Sequence, residues 1–349
     1  MSNRSSNISS KKKRVMFFSS VKTKKMFSVQ QFHRTDICIL RDLGYQVILS
    51  NSVFSFLKFW EYDIAFIYFY RYGLLPAIFA KLFVKKVLFT GGIDSLEKEY
   101  AGAKKFMLQK YLFQLCSLFS DKNILVSNSD INNIKNFNQK LSEKTYYLSF
   151  HAIQFEEYEY KSIIGKEKIL TTIAWMLAED NVIRKGVDKS LYLFKKIHEI
   201  DNEFRMVIVG PQGKGTQLVH EIIKKEKLEG LVELTGAISE QEKISILKKS
   251  SIYTQLSNYE GFGIAAIEAM ASGNIVVHSG KGGLNDGIGK YGILVGNKNY
   301  TEIAKNTYSV YNDPTNRMNM IQKGIQHVSN NFKYEKRLTD FQDILKSIL

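Results

Sequence analysis

Two carboxylates at a fixed spacing carry the clearest chemistry in this chain. Glu260 and Glu268 bracket a seven-residue interval in Tyr259-Glu-Gly-Phe-Gly-Ile-Ala-Ala-Ile-Glu-Ala-Met-Ala-Ser-Gly273. Gly261 and Gly263 let the backbone turn tightly and approach a ligand, whereas Ile264 to Ala271 is a run of good helix formers that stops at Gly273. The pattern predicts a loop feeding a helix, whose unpaired first N–H groups and dipole favour an anion such as a phosphate. Glu268 then stands roughly 7–8 Å further along the axis, about the separation of a diphosphate from the ribose of the same nucleotide. A carboxylate there accepts from both ribose hydroxyls. The competing reading is an Ala-rich core helix with Glu268 on its outer face. Against it, Ala265, Ala266, Ile267, Ala269, Met270 and Ala271 leave little of the helix for solvent, and a buried carboxylate is costly without a partner.

Other candidates are weaker alone. Arg184-Lys185-Gly186 precedes a helix predicted to begin near Asp188, although such a pair is ordinarily surface charge. Thr90-Gly-Gly-Ile-Asp94 follows an apolar run and belongs at the carboxyl edge of a sheet, where open α/β folds bind ligands; Asp94 is there either a ligand-facing group or a helix cap. Val209-Gly-Pro-Gln-Gly-Lys-Gly-Thr216 is not a P-loop, because Thr216 rather than Lys follows Gly215. Ser19 to Lys25 offers Lys22, Lys24 and Lys25 but no glycine, so the dinucleotide fingerprint is absent and an NAD-dependent oxidoreductase or epimerase is excluded.

The elements that must position these residues recur in an α/β rhythm. Short apolar runs begin at Arg14, Gln46, Ile64, Lys86, Asn123 and Thr145, then again at Ile169, Arg205, Leu231, Ile252, Ile275 and Gly292, with helical segments between. Continuous apolar runs suit parallel strands covered on both faces. The expected organisation is a basic tail at 1–13, a first doubly wound domain at 14–150, an acidic and aromatic linker at 151–165, a second domain at 166–331 and a terminal helix at 332–349.

The segment around Glu260 and Glu268 closely resembles the donor-sugar motif of retaining glycosyltransferases of family four, which have the GT-B fold. Val232-Glu-Leu-Thr-Gly-Ala-Ile-Ser-Glu240, Ile252-Tyr-Thr-Gln-Leu-Ser257 and Gly292-Ile-Leu-Val295 extend the resemblance, which is specific from about Ile169 to Val295. It implies two Rossmann-like domains facing across a cleft, with the last helix crossing back onto the first. In this family's pattern Glu260 holds sugar hydroxyls and Glu268 the ribose, while Arg184 and Lys185 grip the diphosphate of a UDP- or GDP-sugar without a metal ion or other cofactor. The amides of Gly261, Phe262, Gly263 and Ile264 orient sugar and phosphate. Gly210 falls in a glycine turn along the donor cleft and Thr235 beside the nucleobase. Acceptor-side positions are Ser19, Lys22, Lys24, Gly91, Gly92 and Asp94, with Asp94 also a catalytic candidate beside Glu260, Lys185 and Arg184. The chain departs from the pattern at Trp175, where an Arg is usual, at Asp94, where many relatives carry His, and at Ser19 to Lys25, which lacks paired glycines.

Composition narrows the rest. The chain has 349 residues, 44% of them hydrophobic, which is enough for two cores. Cys38 and Cys116 lack metal-ligand spacing and sit in apolar surroundings, as expected of free thiols in a reducing compartment. The apolar run Val15 to Phe18 is too short for a signal-peptide core, and Ile64 to Val84 is broken by Arg71, Pro76 and Lys81, so neither secretion nor a membrane span is expected. Residues 1–120 hold 19 Lys and Arg against 7 Asp and Glu, an excess of +12 within a net charge of +15. The asymmetry calls for an anionic partner, and Tyr100 to Phe119, with Lys104, Lys105 and Lys110 among apolar residues, is amphipathic enough to rest on an anionic bilayer. Resemblance and charge together imply a cytoplasmic enzyme, peripheral on the inner face of the plasma membrane, that serves a lipid-linked or oligosaccharide acceptor in bacterial O-antigen or capsule assembly. The rival is a basic nucleic-acid- or membrane-binding protein without transferase activity. A nucleic-acid partner is not expected, because no recognised motif or aromatic–basic stripe accompanies the charge and the glutamate pair is left unexplained.

Overall fold

The computed structural model describes residues 12–137, 145–160 and 165–349. Residues 1–11 of the expected tail and 161–164 of the expected linker lie outside the described residues. The first sheet comprises β1 (Arg14–Phe18), β2 (Gln46–Ser50), β3 (Ile64–Tyr68), β4 (Lys86–Thr90), β5 (Lys122–Leu125) and β6 (Tyr146–Leu148), all parallel in the order β2-β1-β3-β4-β5-β6. The second comprises β7 (Glu167–Ile173), β8 (Arg205–Val209), β9 (Val232–Gly236), β10 (Ser250–Gln255), β11 (Ile275–His278) and β12 (Ile293–Leu294), parallel in the order β12-β11-β10-β7-β8-β9. The apolar runs therefore became twelve strands, as two doubly wound domains require. Winding reverses between β1 and β3 and between β7 and β10, and such reversals open a crevice at the carboxyl ends of the strands.

Each strand of the first sheet feeds two cores. Val15, Phe17, Ile64, Phe66 and Leu88 point to one face, which is covered by helix α1 (Gln31–Asp42); Met16, Phe18, Ala65, Ile67, Val87 and Phe89 point to the other, covered by α2 (Leu74–Leu82) and α3 (Ala103–Leu118). Period-two alternation with both sets apolar is what a sheet buried on both sides demands. In the second domain α4 (Glu179–Lys185), α5 (Val187–Ile200), α6 (Glu240–Lys249) and α7 (Ile264–Ala271) flank the sheet. Arg184 and Lys185, expected on a loop, form the last turn of α4; Gly186, at φ +67°, ends that helix and begins α5. Asp94 caps no α-helix but opens a one-turn 3-10 helix, Asp94–Leu96.

The last helix, α8 (Tyr334–Ile348), crosses to the α1 face of the first domain, where Phe341, Ile344, Leu345 and Ile348 join its core. One buried ion pair anchors it. Arg337 is 1% exposed and meets Asp36 of α1 with Nε at 2.6 Å from Oδ1 and Nη2 at 2.8 Å from Oδ2. Its Nη1 donates to the carbonyls of Ser149 at 2.7 Å and Phe150 at 2.9 Å, and the Tyr68 hydroxyl also donates to Asp36. A guanidinium out of water is tolerated only when its donors are taken, and here they are. Removing one partner strands the other's charge, so Arg337→Ala is expected to lower stability by about 3–5 kcal/mol. Urea unfolding of variant and wild type, compared by midpoint at unchanged slope, measures this; a loss under about 1 kcal/mol would mean that apolar packing alone seats α8.

Candidate functional site

Glu260 occupies the loop between β10 and α7 and is 7% exposed. Its carboxylate accepts from Lys185 Nζ at 2.6 and 2.8 Å, from Ser257 Oγ at 2.7 Å and from Gln255 Nε2 at 3.1 Å. Local structure makes this convergence. Gly186 lies so close to the carbonyl of Leu256 that an added Cβ would sit 2.1 Å from its oxygen, which locks the end of α4 against the loop after β10. The Asn258 N–H donates to the Arg184 carbonyl at 2.9 Å and closes the same junction. Burial acts to raise the Glu260 carboxyl, but the Lys185 charge and the hydrogen bonds from Lys185 and Ser257 together outweigh it, and the net direction is below the ordinary carboxylate range.

Helix α7 begins as the spacing predicts. Gly263 caps it at φ +92°, a left-handed conformation, and a Cβ there would lie 2.4 Å from Leu284 Cδ2. Among the described residues, Ala266 is the first of α7 whose amide bonds back, to the Gly263 carbonyl at 3.0 Å, so the amides of Ile264 and Ala265 remain at the mouth of the cleft. The cleft has a volume of about 420 Å³. Gly91, Gly92 and Asp94 form its wall in the first domain; Arg184, Lys185, Glu260 and the Gly261–Ala265 turn form the opposite wall. The two walls nearly touch: a Cβ on Gly92 would lie 3.2 Å from the Gly261 Cα and 3.2 Å from Asp94 Oδ1.

Charge faces charge across this gap. Burial is the main cause that raises the Asp94 carboxyl above the usual range, and the Glu260 charge adds to it against the opposing pull of Arg184 and Lys185. Burial raises the Tyr100 hydroxyl above its usual range against the opposing charge of Arg184, and Tyr100 stacks on Tyr259 with ring centroids 5.2 Å apart. Further contacts join the walls: the Asn128 backbone and side chain donate to Asp286 at 2.8 and 2.7 Å, and the hydroxyls of Ser129 and Tyr259 are 3.1 Å apart. Two cations, two carboxylates and a helix N-terminus thus converge on one cleft, and a helix N-terminus with cations beside it favours an anion such as a phosphate.

Glu268 is 1% exposed, so the outer-face reading is wrong, but it does not line the cleft. Lys243 of α6 donates to its two oxygens at 2.9 and 2.8 Å, and the Tyr158 hydroxyl donates at 2.8 Å. Lys243 also pairs with Glu240 at 2.8 Å, and Glu240 accepts from Arg34 of the first domain at 3.2 Å. Burial opposes the charge of Lys243, yet Glu268 and Glu240 prevail and raise it. This chain from Arg34 to Glu268 was invisible in sequence, because its members are spread over Arg34, Tyr158, Glu240 and Lys243.

The other expected residues divide. Phe262 borders the cleft, but its ring is buried, stacked on Phe150 at 5.6 Å and edge-on to Phe332 at 5.2 Å, so only its backbone is available to a ligand. Gly210 and Thr235 stand outside the cleft lining; a Cβ on Gly210 would lie 2.0 Å from the Ala174 carbonyl oxygen, and the Thr235 hydroxyl bonds the Gly236 carbonyl at 3.0 Å. Ser19 is buried, Lys22 and Lys24 are exposed, and none of the three reaches the lining. His151, which sequence reasoning did not place at the site, lines the cleft and is held well below its ordinary pKa by burial, with Arg337 and His33 adding to the effect. Gln255 and Ser257 were also missed, although both lie in the segment that carried the resemblance.

Two doubly wound domains around such a cleft define the GT-B fold. Anabaena HepE in complex with UDP and glucose superimposes with a TM-score of 0.77 over 95% of this chain and 99% of that one, at 14% identity. Sucrose-phosphate synthase from Thermosynechococcus elongatus gives 0.73 over 96% and 98%, at 15% identity. Within this fold, residues 177–327 match the family of glycosyl transferases group 1. An uncharacterized glycosyltransferase of Methanocaldococcus jannaschii is 28% identical over 73% of this chain and 66% of its own length. A GDP-mannose:cellobiosyl-diphosphopolyprenol alpha-mannosyltransferase of Xanthomonas campestris is 30% identical over 28% of this chain and 26% of its own. The alignments thus span less than two thirds of these relatives.

The Glu260–Lys185 pair has a pH signature. Because the folded state depresses the Glu260 carboxyl, its contribution to stability is complete above about pH 4.3, the unfolded value, and is lost as pH falls through the depressed folded value. Lys185→Ala should therefore be less stable than wild type at pH 7, with a gap that closes as the solution is acidified through the depressed folded value of Glu260. Thermal unfolding of both proteins followed from pH 7 into the acid range reads this, and a gap of constant size would show that Lys185 acts by packing rather than by charge.

Proposed function

We propose that the protein is a glycosyltransferase that moves a sugar from a nucleoside-diphosphate sugar to a lipid-linked or saccharide acceptor, with retention at the anomeric carbon and without a metal ion. The observation that carries this reading is the meeting of Arg184, Lys185, Glu260 and the N-terminus of α7 against Asp94 in one cleft. A diphosphate at the Ile264 and Ala265 amides lies within the reach of both cations. As the bond between the sugar and its phosphate breaks, negative charge grows on the leaving diphosphate, and fixed cations in a cleft poor in water stabilise that growth. Lys185 already sits on Glu260, so the donor has to share it. Glu260, held in place by Ser257 and Gln255, then accepts from sugar hydroxyls. The leaving phosphate, on the same face of the sugar as the acceptor, helps remove the acceptor proton. Glu268, oriented by Lys243 and Tyr158, accepts from the ribose once those donors yield part of their hold. Assembly of a bacterial surface polysaccharide such as O-antigen or capsule, at the cytoplasmic face of the plasma membrane, is the setting in which such an acceptor occurs.

Calorimetric titration with UDP-, GDP- and ADP-sugars tests the reading directly, with binding of at least one expected and binding of none overturning it. Lys185→Ala should lower kcat on the order of 10²–10³-fold, as loss of a single oxyanion-stabilising donor does, with a smaller loss of donor affinity. Chelator should leave the wild-type rate intact. A rate that collapses with EDTA while Lys185→Ala turns over normally would transfer the role to a metal ion. Glu268→Ala should weaken binding of the free nucleoside diphosphate by roughly 1.5–3 kcal/mol. Unchanged affinity in a folded variant would confine Glu268 to its contacts with Lys243 and Tyr158.

A further inference from the structure

Thirteen of the twenty exposed large hydrophobic side chains among the described residues lie between Phe54 and Leu118, in one helical layer of the first domain. Helix α2 packs between the 3-10 segment Val53–Leu57 and α3, so these side chains share one side of the molecule. Inward, α3 buries Gln109, Phe113 and Cys116; outward it presents Leu108, Tyr111, Leu115 and Leu118, one stripe at helical spacing, with Leu118 77% exposed. Beside it α2 exposes Leu75 and Leu82, and Phe54, Trp60 and Tyr72 stand out from the neighbouring turns. Scattered apolar residues need no explanation, but a patch of this extent does.

Charge identifies what covers it. Residues 64–93 and 100–120 contain no Asp or Glu; Lys81 and Lys86 pair with Asp121, and Arg71, Lys85, Lys104, Lys105 and Lys110 remain as the cations of this face. A second copy of the chain would set these like charges against one another, whereas an anionic lipid surface meets both the cations and the apolar stripe. Trp60, Tyr72 and Tyr111 are the aromatic types that settle at headgroup level. Among the described residues no helix is long and apolar enough to cross a membrane, so this layer would lie on a bilayer rather than span it.

We infer that the outer face of α2 and α3 is a docking surface for an anionic lipid bilayer, and that it delivers the acceptor to the cleft. A second cavity of about 240 Å³ shares Phe69, Gly92 and Asp94 with the first and continues to Arg71 and Tyr72 at the edge of this face, with the inward Gln109 also in its lining. An acceptor anchored by a lipid can thus keep its tail in the bilayer while its head, an anion in reach of Arg71, enters beside Asp94. Delivery of the acceptor rests on the transferase reading; docking does not.

Co-sedimentation with vesicles of phosphatidylcholine alone or with phosphatidylglycerol tests the surface. The full chain should bind the anionic vesicles preferentially and be released by salt. The double variant Leu115→Glu/Leu118→Glu should reduce that binding by about tenfold or more, and Lys104→Ser/Lys105→Ser should reduce it and flatten its salt dependence. Both should keep wild-type affinity for a nucleotide donor, which also shows that they fold. Equal binding to neutral and anionic vesicles, or variants that bind like wild type, overturns the inference. So does a concentration-dependent dimer, seen by sedimentation and abolished by the Leu variant, because the occupant is then a second copy. Vesicle binding without any donor binding refutes the transferase reading and leaves the docking surface standing.

Discussion

A guanidinium buried against the first domain sets the terms for the rest of this molecule. Arg337 sits in a core that would otherwise be apolar, so it needs a partner for each donor, and it finds Asp36 on α1 and the Ser149 and Phe150 carbonyls just beyond β6. Those partners belong to the first domain and to its last residues before the linker, whereas Arg337 arrives at the end of the chain. Satisfying the charge therefore fixes the path of α8 and the exit of the linker together. Phe150, seated by this contact, packs on Phe262, and Phe262 belongs to the turn that opens α7. Charge at the junction and geometry at the cleft are thus separated by two aromatic rings.

Within the cleft the same logic of obligatory partners operates with a different result. Glu260 is satisfied by Lys185, Ser257 and Gln255, but one of these partners is a cation at the edge of an open space, so the carboxylate is placed and yet exchangeable. Asp94 is pushed the opposite way by burial and by Glu260. Two carboxylates facing one cleft are thus driven in opposite directions by their surroundings. Glu268 shows a third condition, tied down by Lys243 and Tyr158 and linked through Glu240 to Arg34 in the other domain. That series of contacts ties α7 to α1 in the first domain.

The first domain treats its two helical layers differently. One is covered by α1 and α8 and closes over a core that includes Phe17, Phe66 and Phe341. The other leaves Leu75, Leu108, Leu115 and Leu118 facing outward although their inward neighbours are well packed. Helix α3 shows why its sequence reads ambiguously: apolar residues on opposite sides serve two environments, so it looks neither like a core helix nor like a surface one.

Much of this was legible in the residues themselves. Apolar runs of strand length, repeated with helical segments between, located all twelve strands to within a few residues, because strands buried on both faces are apolar throughout and too short to be helices. Glycines that must turn placed the start of α7, since Gly263 occupies a conformation closed to other residues. The spacing of Glu260 and Glu268 put both on one loop–helix unit, and the apolar neighbours of Glu268 marked it as buried. What the sequence could not hold is which side chains meet. It gave no sign that Lys185 pairs with Glu260 across 75 residues, that Lys243 and Tyr158 close around Glu268, or that Arg337 finds Asp36 across 301 positions. Nor did it show that Arg184 and Lys185 end a helix rather than lie on a loop, or that Ser19, Lys22 and Lys24 miss the cleft. Local pattern follows from the backbone's own hydrogen bonding and from burial, both written in neighbouring residues. Pairing of charges is settled only when the sheets are packed, because a buried charge takes whichever partner the fold brings within about 3 Å.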